Sequence, residues 1–76
     1  MNIDVILAKL PIKTIDRLEA YVRGGKASAA SYRMLYELRI TTACSVLFDA
    51  EIITMIERET LSHYYRNRLY NGGNAR

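Results

Sequence analysis

The fold is decided by residues 28–71, which read SAASYRMLYELRITTACSVLFDAEIITMIERETLSHYYRNRLYN. This stretch contains neither glycine nor proline, the two residues that most often interrupt a helix. Apolar side chains recur through its first half at steps of three and four: Ala29, Tyr32, Tyr36, Ile40, Ala43 and Leu47, with Leu35 and Leu38 widening the stripe. A helical period sustained over this length predicts long helix with at most one tight turn.

We place that turn at Phe48-Asp49. A short carboxylate at a helix N-cap accepts the free amides of the following turn, so Asp49 is expected to cap a last helix from Ala50 to about Tyr70. Its expected inner face is Ile53, Ile56, Thr60, Leu61 and Tyr64. Two helices of similar length joined by a short turn pack antiparallel, which predicts a long helical hairpin.

The segment before this stretch is predicted to form two short helices. Asn2 or Asp4 would cap the first, which ends before Pro11 because the residue preceding a proline avoids helical geometry. The second would end at Arg23, since Gly24-Gly25 can adopt the left-handed conformation of a helix stop. Ser28 is then expected to cap the long helix that follows. We therefore predict an all-α fold, with residues 1–71 as a single helical domain and residues 72–76 as a flexible C-terminal tail.

The small size of the chain favours self-association. A core built from 76 residues supplies only roughly 3–5 kcal/mol of stability. The single cysteine, Cys44, offers no internal disulfide. The first turns of the last predicted helix are apolar on nearly all sides, and their expected interface residues are Ile52, Ile53, Met55 and Ile56. We expect a homo-oligomeric helical bundle, either a dimer or a tetramer.

No residue pattern predicts catalysis. His63 and Cys44 lie on different predicted helices, about nine residues apart along the hairpin, which is about 13 Å and too far for a nucleophile and its base. Glu57-Arg58-Glu59 is interpreted as a solvated face, because no second histidine or cysteine follows at metal-ligand spacing. We expect a protein that is not an enzyme and holds neither metal nor cofactor.

The formal net charge of +3 comes entirely from Arg66, Arg68 and Arg76, because residues 1–61 contain eight basic and eight acidic side chains. Folding the hairpin brings these C-terminal residues beside the start of the long helix. We call the resulting set the Tyr/Arg cluster: Tyr32, Arg33, Tyr36, Tyr64, Tyr65, Arg66 and Arg68. Tyrosine and arginine are enriched at binding hot spots, so this cluster is the expected partner-binding site. The alternative is that its arginines only stabilise a helix C-terminus.

These observations favour a small regulatory protein that binds another protein, for instance an antirepressor-like antagonist of a DNA-binding repressor, of the kind encoded by phages and plasmids. One alternative is a dimeric DNA-binding transcriptional regulator that uses Arg33, Arg66 and Arg68 on phosphates. A third is a structural assembly protein. No segment approaches the ~20 apolar residues that a membrane span requires, so a cytoplasmic protein without membrane contact is expected.

Overall fold

The computed structural model describes residues 2–71, and these residues form four helices and no strand. The helices are α1 (Ile3–Leu7), α2 (Ile12–Ala27), α3 (Ala30–Asp49) and α4 (Met55–Asn71). Helices α2, α3 and α4 pack against one another, and α1 packs against α4. The all-α prediction is confirmed. The tail predicted at residues 72–76 lies outside the described residues.

Helix α1 is the short arm expected before Pro11. Its N-cap is Asn2, whose Oδ1 accepts a hydrogen bond from the backbone N–H of Asp4 at 2.8 Å. The side chain of Ile6 is fully buried. Removing one such side chain from water contributes about 1.5–3 kcal/mol, so this five-residue helix is held mainly by its contact with the core.

The prediction that α2 stops at Gly24-Gly25 is wrong, because the helix continues through both glycines to Ala27. Neither glycine has a positive φ. A Cβ atom added to Gly24 would lie 2.7 Å from Cε1 of Tyr36, and one added to Gly25 would overlap the side chain of Leu69. These glycines therefore allow α3 and α4 to approach the backbone of α2 closely, and they do not end the helix.

Ser28 ends α2 and does not cap α3. Its backbone is extended, with φ −93° and ψ 159°, and its hydroxyl donates to the carbonyl of Gly24 at 2.7 Å. The N-cap of α3 is Ala29, which has no side-chain hydrogen bond to the helix. Serine is common at helix ends because its hydroxyl can replace a missing backbone hydrogen-bond partner. Here the hydroxyl binds a carbonyl group at the C-terminal end of α2.

The turn between α3 and α4 begins later than predicted. Asp49 is the last residue of α3 and caps nothing, and Glu51 adopts a left-handed conformation with φ 62°. The actual cap is Thr54. Its Oγ1 accepts from the N–H of Glu57 at 3.2 Å, and a carboxylate oxygen of Glu57 accepts from the N–H of Thr54 at 2.8 Å. This reciprocal pair is a capping box, so α4 starts at Met55 and not at Ala50.

The core is built from all four helices and the α3–α4 turn. Its buried apolar residues are Ile6, Leu10, Leu18, Val22, Ile40, Cys44, Leu47, Ile53, Leu61, Tyr65 and Leu69. On α4 the buried positions are Glu57, Leu61, Ser62, Tyr65 and Leu69, so the inner face differs from the predicted one. Ile56, which was predicted to face inward, is 66% exposed. The capping box explains the difference, because it turns Glu57 toward the interior.

Candidate functional site

The structure divides the Tyr/Arg cluster between the core and the surface. Tyr65 is fully buried, and its ring packs edge-on against Tyr64 with the centroids 4.9 Å apart. Tyr36 is half-buried against Gly24, whereas Tyr32 on the same helix is 64% exposed. Tyr65 is therefore a core residue, and of the three tyrosines Tyr32, Tyr36 and Tyr65 only Tyr32 is largely exposed.

Arg68 is held by an acidic partner inside the fold. Its guanidinium makes two hydrogen bonds to the carboxylate of Glu19 on α2, at 2.5 and 2.8 Å. The bond from Arg68 holds the pKa of Glu19 below its usual range, and Glu19 in turn raises the pKa of Arg68. A bidentate arginine–carboxylate pair is among the stronger polar contacts in proteins. Arg68 thus ties the end of α4 to α2.

The other two arginines of the cluster also have internal partners. Arg66 lies 3.7 Å from a carboxylate oxygen of Glu37 on α3, and Tyr70 donates to the same carboxylate at 2.6 Å. Arg33 donates from Nε to the backbone carbonyl of Gly25 at 3.2 Å. The arginine side chains that the sequence predicted to bind a partner therefore already have acceptors within the protein. Their binding role stays a prediction.

Two buried polar atoms at this end have no hydrogen-bond partner among the described residues: the hydroxyl of Tyr65 and Nε of Arg66. Burial, together with the nearby carboxylate of Glu19, raises the pKa of Tyr65 to about 12. The Glu19 carboxylate that binds Arg68 therefore also lies beside the Tyr65 hydroxyl.

Glu57 is buried, which contradicts its interpretation as part of a solvated face. The ammonium of Lys9, in the segment after α1, forms an ion pair with Glu57 at 2.5 Å. This bond and the backbone N–H of Thr54 hold the pKa of Glu57 below its usual range. The sequence does contain the signal, since Thr54 and Glu57 have the Ser/Thr-x-x-Glu spacing of a capping box.

The predicted oligomer interface is partly exposed. Ile52, Met55 and Ile56 are 38%, 57% and 66% exposed, and they lie together around the start of α4. Ile53 is only 4% exposed and belongs to the core. Three of the four side chains are therefore available to another chain.

The outward face of α3 is a feature that the sequence did not predict. Met34, Leu38 and Val46 are 71%, 61% and 58% exposed, and Leu35 beside them is 44% exposed. We call these four residues, with exposed Thr42 between them, the outer stripe. The positions 34, 38, 42 and 46 recur every four residues, so they share one side of the helix. That spacing is visible in the sequence, but Leu35 and Leu38 also widen the apolar stripe that predicts the core side of the helix, so the sequence does not show that they are exposed.

A groove of about 410 Å³ runs between α2 and α3 beside the outer stripe. Its apolar lining includes Tyr21 from α2 and Leu38 and Val46 from α3. Two arginines, Arg17 and Arg39, also line it, and within residues 2–71 no carboxylate does. The guanidinium of Arg39 lies over the ring of Tyr36, 5.1 Å from its centroid. The surface therefore combines apolar area with positive charge.

Groups that could carry chemistry are sparse in the described part of the chain. Cys44 is fully buried, and burial raises the pKa of its thiol to about 11, so it stays protonated at neutral pH. His63 is exposed on α4. Within residues 2–71, no three His, Cys, Asp or Glu side chains are grouped to hold a metal ion. No helix of these residues has the length and apolar character needed to cross a membrane.

No protein-family model matches the chain, and comparisons with curated proteins and with solved structures found no similar one. A functional proposal therefore depends on the residues described above.

Proposed function

We propose that this protein is a non-enzymatic regulator that acts by binding another protein, and that the outer stripe of α3 is its main contact surface. The observation that carries this proposal is the exposure of Met34, Leu38 and Val46 on one side of a helix whose other side forms the core. Single exposed apolar residues are ordinary, whereas several exposed apolar side chains grouped on one side of a helix are typical of an interaction surface.

The position of the strip also supports binding. Its residues belong to a 20-residue helix that packs on both α2 and α4, so the surface is presented on a rigid element. A preorganised surface loses little conformational freedom when it binds, which favours affinity. We propose, as one example of this function, that the protein binds a DNA-binding repressor and blocks its action.

The alternative DNA-binding function needs Arg33, Arg66 and Arg68 for phosphates. In the folded chain these guanidinium groups contact the Gly25 carbonyl, Glu37 and Glu19, respectively. Phosphate groups would have to displace these internal partners, so each arginine–phosphate contact would contribute less to the binding free energy. We therefore rank DNA binding below protein binding.

We further propose that α3 and α4 form an antiparallel hairpin and that hairpins associate through Ile52, Met55 and Ile56. The antiparallel arrangement is supported by two contacts: Arg66 near the end of α4 pairs with Glu37 near the start of α3, and Arg58 lies over Phe48 beside the turn.

Sedimentation tests the proposed association of hairpins and should show an oligomer that Ile56→Asp dissociates. A folded wild-type monomer at micromolar concentration would contradict this part of the proposal.

The main proposal is tested by affinity capture from cells that express the protein, with wild type compared with Leu38→Asp and Val46→Asp. Both side chains are exposed, so the variants should keep the circular dichroism of the wild type. We expect a specific protein to be captured by the wild type and lost with either variant. Ile12→Asp is the matched control, because Ile12 is 75% exposed but lies outside the stripe.

A gel-shift assay with random duplex DNA tests the DNA-binding alternative. Strong binding that falls steeply with salt and is unchanged in Leu38→Asp would support the DNA-binding alternative and contradict the main proposal.

A further inference from the structure

The groove between α2 and α3 has a distinctive charge pattern. Among the described residues, its lining contains Arg17 and Arg39 and no acidic side chain. Of the ten basic side chains in residues 2–71, four have a carboxylate within ion-pair distance: Lys9, Arg58, Arg66 and Arg68. Arg17 and Arg39 are among the six that do not; both are exposed, and they are the two of those six that line the groove. The fold thus places two carboxylate-free guanidinium groups beside an apolar groove.

The length of the groove suits one side of a short helix. Its apolar contacts on α3 extend from Leu38 to Val46, which are eight residues apart and therefore separated by about 12 Å along the axis. An inserted helix places side chains at positions i, i+4 and i+7 over about 10.5 Å. The apolar length of the groove therefore accommodates two to three side chains from one side of a helix.

The charges decide between two possible occupants. A two-fold contact between copies of this chain repeats the same surface on both sides, so it would bring Arg17 and Arg39 of both copies into one interface. Like charges that face each other across an interface are unfavourable. A partner with carboxylates instead gives each arginine the planar, bidentate partner that guanidinium groups favour.

We propose that this groove binds an acidic amphipathic helix of another protein, whose apolar side chains lie on Tyr21, Leu38 and Val46 and whose Asp or Glu residues pair with Arg17 and Arg39. This inference rests on the proposed function and names the chemistry of the partner. The cation–π contact between Arg39 and Tyr36 holds one of the two charges beside the groove before the partner arrives.

The test is a selection of helical peptides of about 20 residues from a display library, with the full chain immobilised. We expect the selected peptides to share apolar residues at i, i+4 and i+7 and an excess of Asp and Glu. By fluorescence anisotropy, Arg17→Glu combined with Arg39→Glu should weaken their binding about ten-fold or more. The same double variant should bind counterparts in which Lys replaces Asp and Glu.

Controls separate the groove from the fold and from other surfaces. Arg17→Gln with Arg39→Gln removes the charge without reversing it and should give an intermediate loss. Lys13→Glu changes an exposed charge on α2 that does not line the groove and should have a small effect. Circular dichroism of each variant should match the wild type.

Several results would overturn the inference. These are selection of neutral or basic peptides, no selection at all, or binding that does not change in the Arg17→Glu/Arg39→Glu variant. Dissociation of a wild-type oligomer by Leu38→Asp would show that a second copy occupies the groove, which also contradicts the inference. Failure of this inference can be distinguished from failure of the main proposal. If a protein is captured through Leu38 and Val46 but is not acidic, the main proposal holds and only the inference is wrong.

Discussion

The Tyr/Arg cluster and the outer stripe of α3 differ in how the fold uses them. The cluster contains the residue types that are enriched at binding hot spots, yet Arg68 binds Glu19 and Tyr65 lies in the core. The outer stripe consists of ordinary aliphatic side chains, yet Met34 and Leu38 contact solvent. Residue type indicates what a side chain could bind, whereas its internal partners determine what remains to be bound.

The strongest test of this difference compares a buried leucine next to Arg68 of the cluster with an exposed leucine of the outer stripe. Leu69→Ala should lower the free energy of unfolding by about 2–5 kcal/mol, because Leu69 is 2% exposed and its loss leaves a cavity. Leu38→Ala should change it by no more than about 0.5 kcal/mol. Urea unfolding followed by circular dichroism measures both. Equal losses would mean that the two regions do not differ in structural role.

A smaller effect is expected for Arg68. Arg68→Ala should cost about 1 kcal/mol, which is below the usual value for a charged hydrogen bond because both side chains of the Arg68–Glu19 pair are about one-third exposed, at 32% and 31%. Arg39→Ala, on the outward side of α3, should cost less than about 0.5 kcal/mol. A double-mutant cycle with Glu19→Ala isolates the pair, and a coupling energy near zero would argue against its structural role.

The pH dependence of stability should come mainly from the carboxylates that have partners inside the fold. Partners hold the pKa values of Glu19 and Glu57 below their usual range, so these groups stabilise the fold above the unfolded-state pKa of about 4.3. That contribution is lost as the pH falls through the folded-state pKa values. The Tm should therefore be nearly constant from neutral pH to about pH 5 and decrease below it.

Glu57→Gln should flatten this acid decrease while keeping the capping box, because a glutamine can still accept from the backbone at this position. Glu51→Gln is the control, since Glu51 is exposed. If the Tm of Glu57→Gln decreased in acid as steeply as that of the wild type, the contacts of the Glu57 carboxylate with Lys9 and the Thr54 N–H would not contribute to the pH dependence of stability.

The smallest expected effect concerns the unpaired hydroxyl of Tyr65. Tyr65→Phe removes a buried group that has no partner among the described residues, so the free energy of unfolding should stay the same or rise by up to about 1 kcal/mol. Thermal unfolding measures this change. A loss above about 1 kcal/mol would indicate that the hydroxyl has a hydrogen-bond partner, such as the neighbouring carboxylate of Glu19.

The helical class and the core side of α3 could be predicted from sequence, because Ile40 and Leu47 follow a clear helical period and are buried. The ends of the helices could not. Gly24-Gly25 has the local composition of a helix stop, and only the approach of Tyr36 and Leu69 explains why the helix continues. Local patterns cannot report such tertiary contacts.

The candidate surface was missed for a related reason. Tyr36 and Leu38 both fit an apolar stripe on α3, but a chain of this size supplies neighbours for only one side of a long helix. The side that is covered depends on where α2 and α4 pack. The inner face of α4 was mispredicted because a glutamate was not expected in the interior, although Thr54 and Lys9 both bind Glu57 there.

The two glycines within α2 have a consequence for the order in which the molecule assembles. Each glycine disfavours helix by about 1 kcal/mol relative to alanine, so residues 24–27 have little tendency to form helix in isolation. They become helical where the side chains of Tyr36 and Leu69 cover them. The last turn of α2 should therefore form late in folding, after α3 and α4 have docked, and should open first when they separate.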